Sequence, residues 1–281
     1  KEAVYQALLN DPQYLAQRLE YDLWTAAFFW QIPEGDAETM LAPTQQELRR
    51  LRAEQPLDAE LTRRVQEIAA KQNFFHWAFE FPSVFNRNSP GFDVILGNPP
   101  WEAEELIEKE FFSVSAPNIA EIATKAKRSA LIDELSKENP GLYKLWLNEK
   151  HAFSARSNFF KQSENFKLGA KGKLNTYRLF AEHSSNSICS NGRNGLVLKS
   201  GIINAQDSQD LFGCWSKASR VVLAFDFINL RLIFPGVVPN ERFCLLVLTG
   251  LDSKASVANY AFGLEQIEDI RDRTKIFNVT V

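Results

Sequence analysis

The spacing of apolar residues changes along the chain, and each change predicts an element. In the first 31 residues Val4, Leu8, Leu9, Tyr14, Leu15, Leu19, Leu23, Trp24 and Phe28 recur at helical spacing, with Pro33 expected to close the run. A loop over 32–45, with Pro33, Gly35 and Pro43, leads to a charged helical pair over 44–73, interrupted near Pro56. From Asn73 to Phe85 the chain is dense in aromatics. Val94, Ile95 and Leu96 then form a short run with β-branched residues, bounded by Gly91 and Gly97, which predicts a buried strand covered on both faces. Residues 102–170 read as charged and mostly helical, with breaks at Pro117 and Pro140-Gly141, and form a long insertion. A helix opens near Asn175, with Leu174, Tyr177 and Phe180-Ala181 on its apolar face. Asn191-Gly192 predicts a turn into a strand over Gly195–Leu198. Two further strands, Val221–Phe227 and Arg242–Thr249, look like a closing antiparallel hairpin around Phe234-Pro235-Gly236-Val237. The alternation of strands and helices predicts an α/β fold.

Composition narrows the class. With 281 residues and 45% hydrophobic content the chain can bury a sizeable core. No apolar run approaches a membrane span and Lys1-Glu2-Ala3-Val4 does not resemble a signal peptide, so a cytoplasmic location is the expectation. A chain that opens without Met reads as a piece of something longer. Cys189, Cys214 and Cys244 are odd in number and widely spaced, which argues against a disulfide framework, and His76, His151 and His183 lack metal-ligand spacing. No metal is expected. Net charge is −3, yet residues 151–200 carry eight basic residues (Arg156, Lys161, Lys167, Lys171, Lys173, Arg178, Arg193, Lys199) against two acids, Glu164 and Glu182. That segment is a candidate track for phosphates, and a solvated mixed surface is the alternative.

The densest chemistry follows the strand at Val94–Leu96. Asn98 supplies an amide, Pro99 and Pro100 fix φ and carry no N–H, and Trp101 adds a large flat ring. Because Pro99 biases Asn98 away from the α region, the Asn98 carboxamide oxygen and the Pro99 carbonyl can face the same way. Two adjacent acceptors suit an –NH2 group, and the crevice outside the carboxyl ends of strands is where open α/β sheets bind ligands.

At these residues the chain resembles a family. Asn-Pro-Pro-Trp after Phe-Asp-Val-Ile-Leu-Gly resembles the catalytic loop of S-adenosylmethionine-dependent N6-adenine DNA methyltransferases, in which Asn-Pro-Pro-Tyr is the commoner form. Phe75-His76-Trp77 with Glu80-Phe81-Pro82 and Val84-Phe85 resembles the segment upstream of that loop in large enzymes of restriction-modification and phage-defence systems, with His76 read as structural. Gly172-Lys173, Asn175, Tyr177 and Leu179-Phe180 resemble the family's Gly-Lys-x-Asn-x-Tyr-x-Leu-Phe segment. Lys199 stands where many relatives have Pro.

The resemblance implies part of a Rossmann-like class I methyltransferase sheet, central strands plus closing hairpin, with helical insertions. It divides the chain into a helical segment over 1–72 and a catalytic-loop half over 73–281, with the insertion at about 102–170 as a candidate lid or DNA-facing element. Asn98, Pro99, Pro100 and Trp101 are then the catalytic residues, Trp101 and Phe234 stack on the target base, and Asn175 and Tyr177 lie beside the cofactor; a helix cap at Asn175 is the alternative reading. The cofactor implied is S-adenosylmethionine, but the glycine-rich loop that binds it in this class is absent, and Gly169-Ala170-Lys171-Gly172 is a poor substitute. The expectation is that an upstream cofactor-binding segment of a parent protein completes the sheet and that residues 1–281 are inactive alone. The implied partners are double-stranded DNA, a separate target-recognition domain, and nuclease or helicase subunits. Rival readings are methyl transfer to RNA or to a protein glutamine, and a non-catalytic scaffold or DNA-contacting module of a defence complex.

Overall fold

The computed structural model describes residues 11–32 and 41–280. The expected helical start at Val4–Leu9 and its closure at Pro33 lie outside the described residues. The chain divides into two compact units, 1–80 with 105–159, and 81–104 with 160–281.

The first unit is helical. Its helix Pro12–Phe29 begins where Asp11 accepts the N–H groups of Gln13 and Tyr14. The expected charged pair is Gln45–Arg52, capped by Thr44, and Ala59–Gln72, capped by Asp58, with Pro56 between them. Leu23, Ala26, Trp30, Leu48, Leu61 and Val65 form the shared core. The helices of the insertion, Glu108–Ser115, Lys125–Glu138 and Pro140–Gln162, bury Phe112, Ile132 and Trp146 together. Phe159 on the last of these packs its ring against Trp24, Phe28 and Phe29. The insertion therefore groups with the N-terminal helices in the first compact unit. His76 takes the structural place expected of it: its Nε2 lies 2.8 Å from an oxygen of buried Asp22.

The second unit holds a six-stranded mixed sheet: β1 (Phe92–Gly97), β2 (Ile188–Lys199), β3 (Val221–Ile228), β4 (Arg242–Thr249), β5 (Val257–Leu264) and β6 (Phe277–Thr280), in spatial order β1-β2-β4-β3-β5-β6. β1 and β2 are parallel, β4 is antiparallel to both β2 and β3, β5 is parallel to β3, and β6 is antiparallel to β5. The α/β class and the antiparallel β3–β4 pair are as expected; β5 and β6 were not anticipated. Alternation along β2 and β4 sends Leu196, Leu198, Cys244, Leu246 and Leu248 to one face, under the helices Thr176–Ser187 and Gln209–Lys217, and Val197, Phe243 and Leu245 to the other. Phe180 does not join that core; it is exposed on the outer side of its helix.

Two local expectations change. Asn191-Gly192 lies within β2, where the pairing jumps from Phe92 opposite Ile188 to Val94 opposite Arg193, so it forms an irregularity inside a long strand instead of a turn before it. Gly91 is required at the mouth of β1: its φ is +111°, and a Cβ there would lie 2.6 Å from the backbone of Ile188 and Cys189. The second change is that β1 is not covered on both faces. Val94 is 57% and Leu96 78% exposed, and the outer edge of β1 pairs with no described strand. Leu96 lies over Gly195, on the face that Val197 shares, where no described element covers it.

Candidate active site

Strand direction decides which groups meet. β1, β2 and β3 all run the same way, so their carboxyl ends and the amino end of β4 form one rim. Asn98 to Trp101 leave the rim from β1, Lys199 and Ser200 from β2, and the loop 229–241 joins β3 to β4 there.

Asn98 is exposed, Pro99 and Trp101 are half-buried, and Pro100 is exposed. The Trp101 Nε1–H donates to the Val197 carbonyl at 3.3 Å, which ties the ring to β2. Phe234 meets the Trp101 ring edge-on, with centroids 6.2 Å apart and planes at 84°. Phe234 in turn packs on Phe243, at 4.9 Å, and Phe243 stacks on Phe227 at 5.1 Å. An aromatic wall thus begins at Trp101, three residues after Asn98.

The loop carrying Phe234 is organised by Asn229, whose side chain is fully buried. Its Nδ2 donates to the carbonyls of Phe234 at 3.0 Å and Val237 at 2.9 Å, and its Oδ1 accepts the Phe234 N–H at 3.0 Å. Below the rim, buried Asp226 accepts from Ser200 Oγ, from Arg242 and from the Gly263 N–H, which leaves it engaged as an anchor and shielded from any ligand at the rim. Neither Asn229 nor Asp226 was singled out by sequence. An Asn opening a Pro-Gly loop was the available signal for the first, and nothing local marks the second.

Asn175 and Tyr177 fall where they serve the helix Thr176–Ser187. Asn175 Oδ1 accepts the Tyr177 N–H at 3.4 Å as its cap, and Tyr177 is buried in the main core with its hydroxyl against Gly201. The chain after Trp101 lies along this helix start: Thr176 N–H donates to the Glu102 carbonyl at 2.9 Å, and Glu104 N–H to the Leu174 carbonyl at 3.1 Å.

The glycines at 169–172 are closed to a ligand. The N–H groups of Leu168 and Gly169 already donate to Glu182, which is buried and whose pKa burial raises, while a Cβ at Gly172 would run into the Asp207 carboxylate. Asn175, Tyr177 and the Gly169–Gly172 segment are thus each engaged within the fold. Among the described residues no group of three His, Cys, Asp or Glu side chains could hold a metal ion. Cys189 and Cys244 are buried, and burial pushes the Cys244 thiol well above its usual range.

The basic run is largely spoken for. Arg178 is buried and donates to the carbonyls of Asp207 and Lys173; Arg193 bonds Thr249 and Ser253. Lys171 pairs with Asp210, Lys199 with Glu241, Arg156 with Glu149 and Lys167 with Glu164. Acids from elsewhere in the chain, Asp210 and Glu241, meet two of these side chains, and Arg178 is turned into the fold. Among the described residues no helix is long and apolar enough to cross a membrane.

Residues 39–234 match the model of a family described as Eco57I restriction-modification methylase. No curated protein matches the chain. Among solved structures, the chain is similar to the ATP-dependent Type ISP restriction-modification enzyme LlaBIII bound to DNA, at 13% identity and a TM-score of 0.34, covering 80% of this chain and 13% of that one. It is similar to DrdV in its complex with DNA at 12% identity and a TM-score of 0.36, covering 79% and 19%. For the type I restriction-modification methyltransferase subunit from Streptococcus thermophilus the values are 13% identity, a TM-score of 0.35, and coverage of 93% and 51%. The chain thus spans about half or less of each of these proteins.

Proposed function

The chain belongs to the Eco57I restriction-modification methylase family, and from that membership we propose that it forms the base-receiving half of a DNA methyltransferase that modifies the N6 amine of adenine. The observation that carries the reading is the rim itself: the Asn98-Pro99 acceptors leave β1 beside an aromatic wall made by Trp101 and Phe234.

An adenine inside a duplex cannot reach such a rim, so the target base is flipped out, at the cost of a few kcal/mol of stacking and pairing. Trp101 takes the unstacked base on its face, and the Phe234 edge closes one side. The N6 amine is a weak nucleophile because its lone pair is conjugated with the ring. Asn98 Oδ1 and the Pro99 carbonyl accept its two N–H bonds and favour a pyramidal nitrogen whose lone pair leaves the ring plane. S-adenosylmethionine, when bound, would supply the methyl group as an electrophile and leave as the neutral thioether, and the proton that N6 sheds would pass to water at the exposed Asn98 rim. The contribution of this chain is positioning and preorganised dipoles, with no ionisable side chain among residues 98–101.

The cofactor is held elsewhere. The open edge of β1 and the exposed Val94 and Leu96 suit a further strand and a covering helix, and these belong to a cofactor-binding segment of the same polypeptide. Double-stranded DNA is the proposed substrate, with target recognition and any nuclease or helicase activity supplied by other parts of the assembly.

The test is methyl transfer from labelled cofactor to DNA by the intact enzyme and by Asn98→Ala. Removing one preorganised polar partner costs roughly 100- to 1,000-fold in kcat, with DNA affinity retained and N6-methyladenine as the product. A variant within a few-fold of wild type, or label recovered on cytosine, refutes the reading. A second reading, a non-catalytic DNA-contacting module, draws on the closed state of the Gly169–Gly172 segment. It is chosen if the intact protein binds DNA and transfers no methyl group.

A further inference from the structure

Two successive prolines leave the catalytic loop without backbone donors at residues 99 and 100, so its carbonyl groups are the handles by which the protein can hold it. One of them is held. The Thr176 hydroxyl lies 2.7 Å from the Pro100 carbonyl and 3.1 Å from the Glu102 carbonyl, and it accepts the Glu102 N–H at 3.0 Å. A hydroxyl has one proton to give, and the shorter contact assigns it to Pro100. The Pro100–Trp101 peptide plane is thereby fixed at its oxygen.

Three features separate this from an ordinary helix-start threonine. The hydroxyl does not cap its own helix; Asn175 does that. Its partners are 74 and 76 residues away, on the segment that carries the proposed chemistry. The platform behind it is stiff, since Tyr177, Leu179 and Ala181 of the same helix are buried. The Trp101 ring has a separate tie, Nε1–H to the Val197 carbonyl at 3.3 Å. The ring is thus held at its tip by β2, and its backbone by Thr176.

We infer that Thr176 is a positioning residue for the methyl-transfer loop: its hydroxyl orients the Pro100–Trp101 peptide so that the Trp101 face and the Asn98-Pro99 acceptors address one base. This rests on the function proposed above and deepens it. The Gly-Lys-x-Asn-x-Tyr-x-Leu-Phe pattern that this segment resembles leaves position 176 open.

Thr176→Val keeps the shape and removes the hydroxyl, and Thr176→Ser keeps the hydroxyl. In the intact enzyme Thr176→Val should lower kcat roughly 10- to 100-fold, the range expected when a reacting group is misplaced by up to about 1 Å. KM for DNA and for the cofactor should stay within about 3-fold of wild type, because the hydroxyl acts on orientation in the transition state and not on ground-state binding. Thr176→Ser should recover most of the rate.

A second readout does not depend on activity. With 5-fluorotryptophan incorporated, the Trp101 signal, assigned through Trp101→Phe, should shift or broaden in Thr176→Val and return in Thr176→Ser. An unchanged kcat and Trp101 signal in Thr176→Val overturns the inference. Equal loss in the valine and serine variants does so as well, because shape would then matter and the hydroxyl would not. If wild-type enzyme transfers no methyl group, the functional reading fails, and the fluorine signal still decides whether Thr176 holds the loop.

Discussion

Replacing Leu96 with serine asks whether the uncovered face of β1 is a finished surface or half of an interface. Fully burying a leucine side chain is worth about 1.5–3 kcal/mol. Leu96 is 78% exposed, so about a quarter of that, roughly 0.5 kcal/mol, is realised in this chain. Leu196 and Leu198 on β2 are buried, and truncating either should cost about 2–5 kcal/mol. The expected result in a urea titration of residues 1–281 is therefore a midpoint barely moved by Leu96→Ser and strongly lowered by Leu198→Ala. The remaining three quarters of the leucine's burial, about 1–2 kcal/mol, should appear when the proposed cofactor-binding segment covers the strand, as a roughly 5- to 30-fold loss of affinity in isothermal titration of the two pieces. Val94, 57% exposed on the same strand, should act in the same direction to a smaller extent. The reasoning is refuted if Leu96→Ser destabilises the isolated chain by 2 kcal/mol or more (the scale of full burial), or if it leaves association unchanged.

Other consequences concern the supports of the rim. Asp226→Ala strips charge-assisted bonds from Ser200, Arg242 and the Gly263 N–H; because the Arg242 side chain is 46% exposed and can resolvate, the expected loss is about 2–3 kcal/mol in chemical unfolding, and a loss below 0.5 would contradict the anchoring role. Asp269, hydrogen-bonded to Lys275 and to the N–H groups of Glu265 and Gln266, has its pKa held down at about 2. A depressed carboxylate pKa contributes stability above its unfolded value near 4 and loses it as pH falls through about 2, so Asp269→Asn should flatten the stability profile between those limits, as read by thermal unfolding across pH.

What the sequence made legible was built from contiguous residues. β1 ends where Gly91 and the Asn98-Pro99-Pro100 run force an end, and Asn175 caps a helix as its residue type allows. The long insertion was visible as helical through its prolines, but its grouping with the N-terminal helices depends on Phe159 meeting Trp24, Phe28 and Phe29, which no local pattern announces. β6 was missed because all four of its residues are exposed, so no period-two burial marks it. The partners of the basic run were hidden for a related reason: a count of charges along 151–200 cannot see that Asp210 and Glu241 arrive from elsewhere to pair with Lys171 and Lys199.

The same division runs through the site and explains its order of legibility. Asn98, Pro99, Pro100 and Trp101 are neighbours, so their chemistry can be read as a word. The geometry that makes the word act comes from Val197, Thr176 and Phe234, the first two reaching Trp101 and Pro100 across 96 and 76 residues. Those contacts exist because β1 and β2 are parallel and the β3–β4 loop returns to the same rim, so the fold is what sets a four-residue loop beside an aromatic wall. On the proposed function, a protein that kept the loop but lost the Thr176 hydroxyl or the Asn229 clamp would still carry the motif and would no longer hold a base at the angle a transfer requires. Loss of either support should therefore appear in kcat before it appears in DNA affinity, which is the difference between possessing the residues and presenting them.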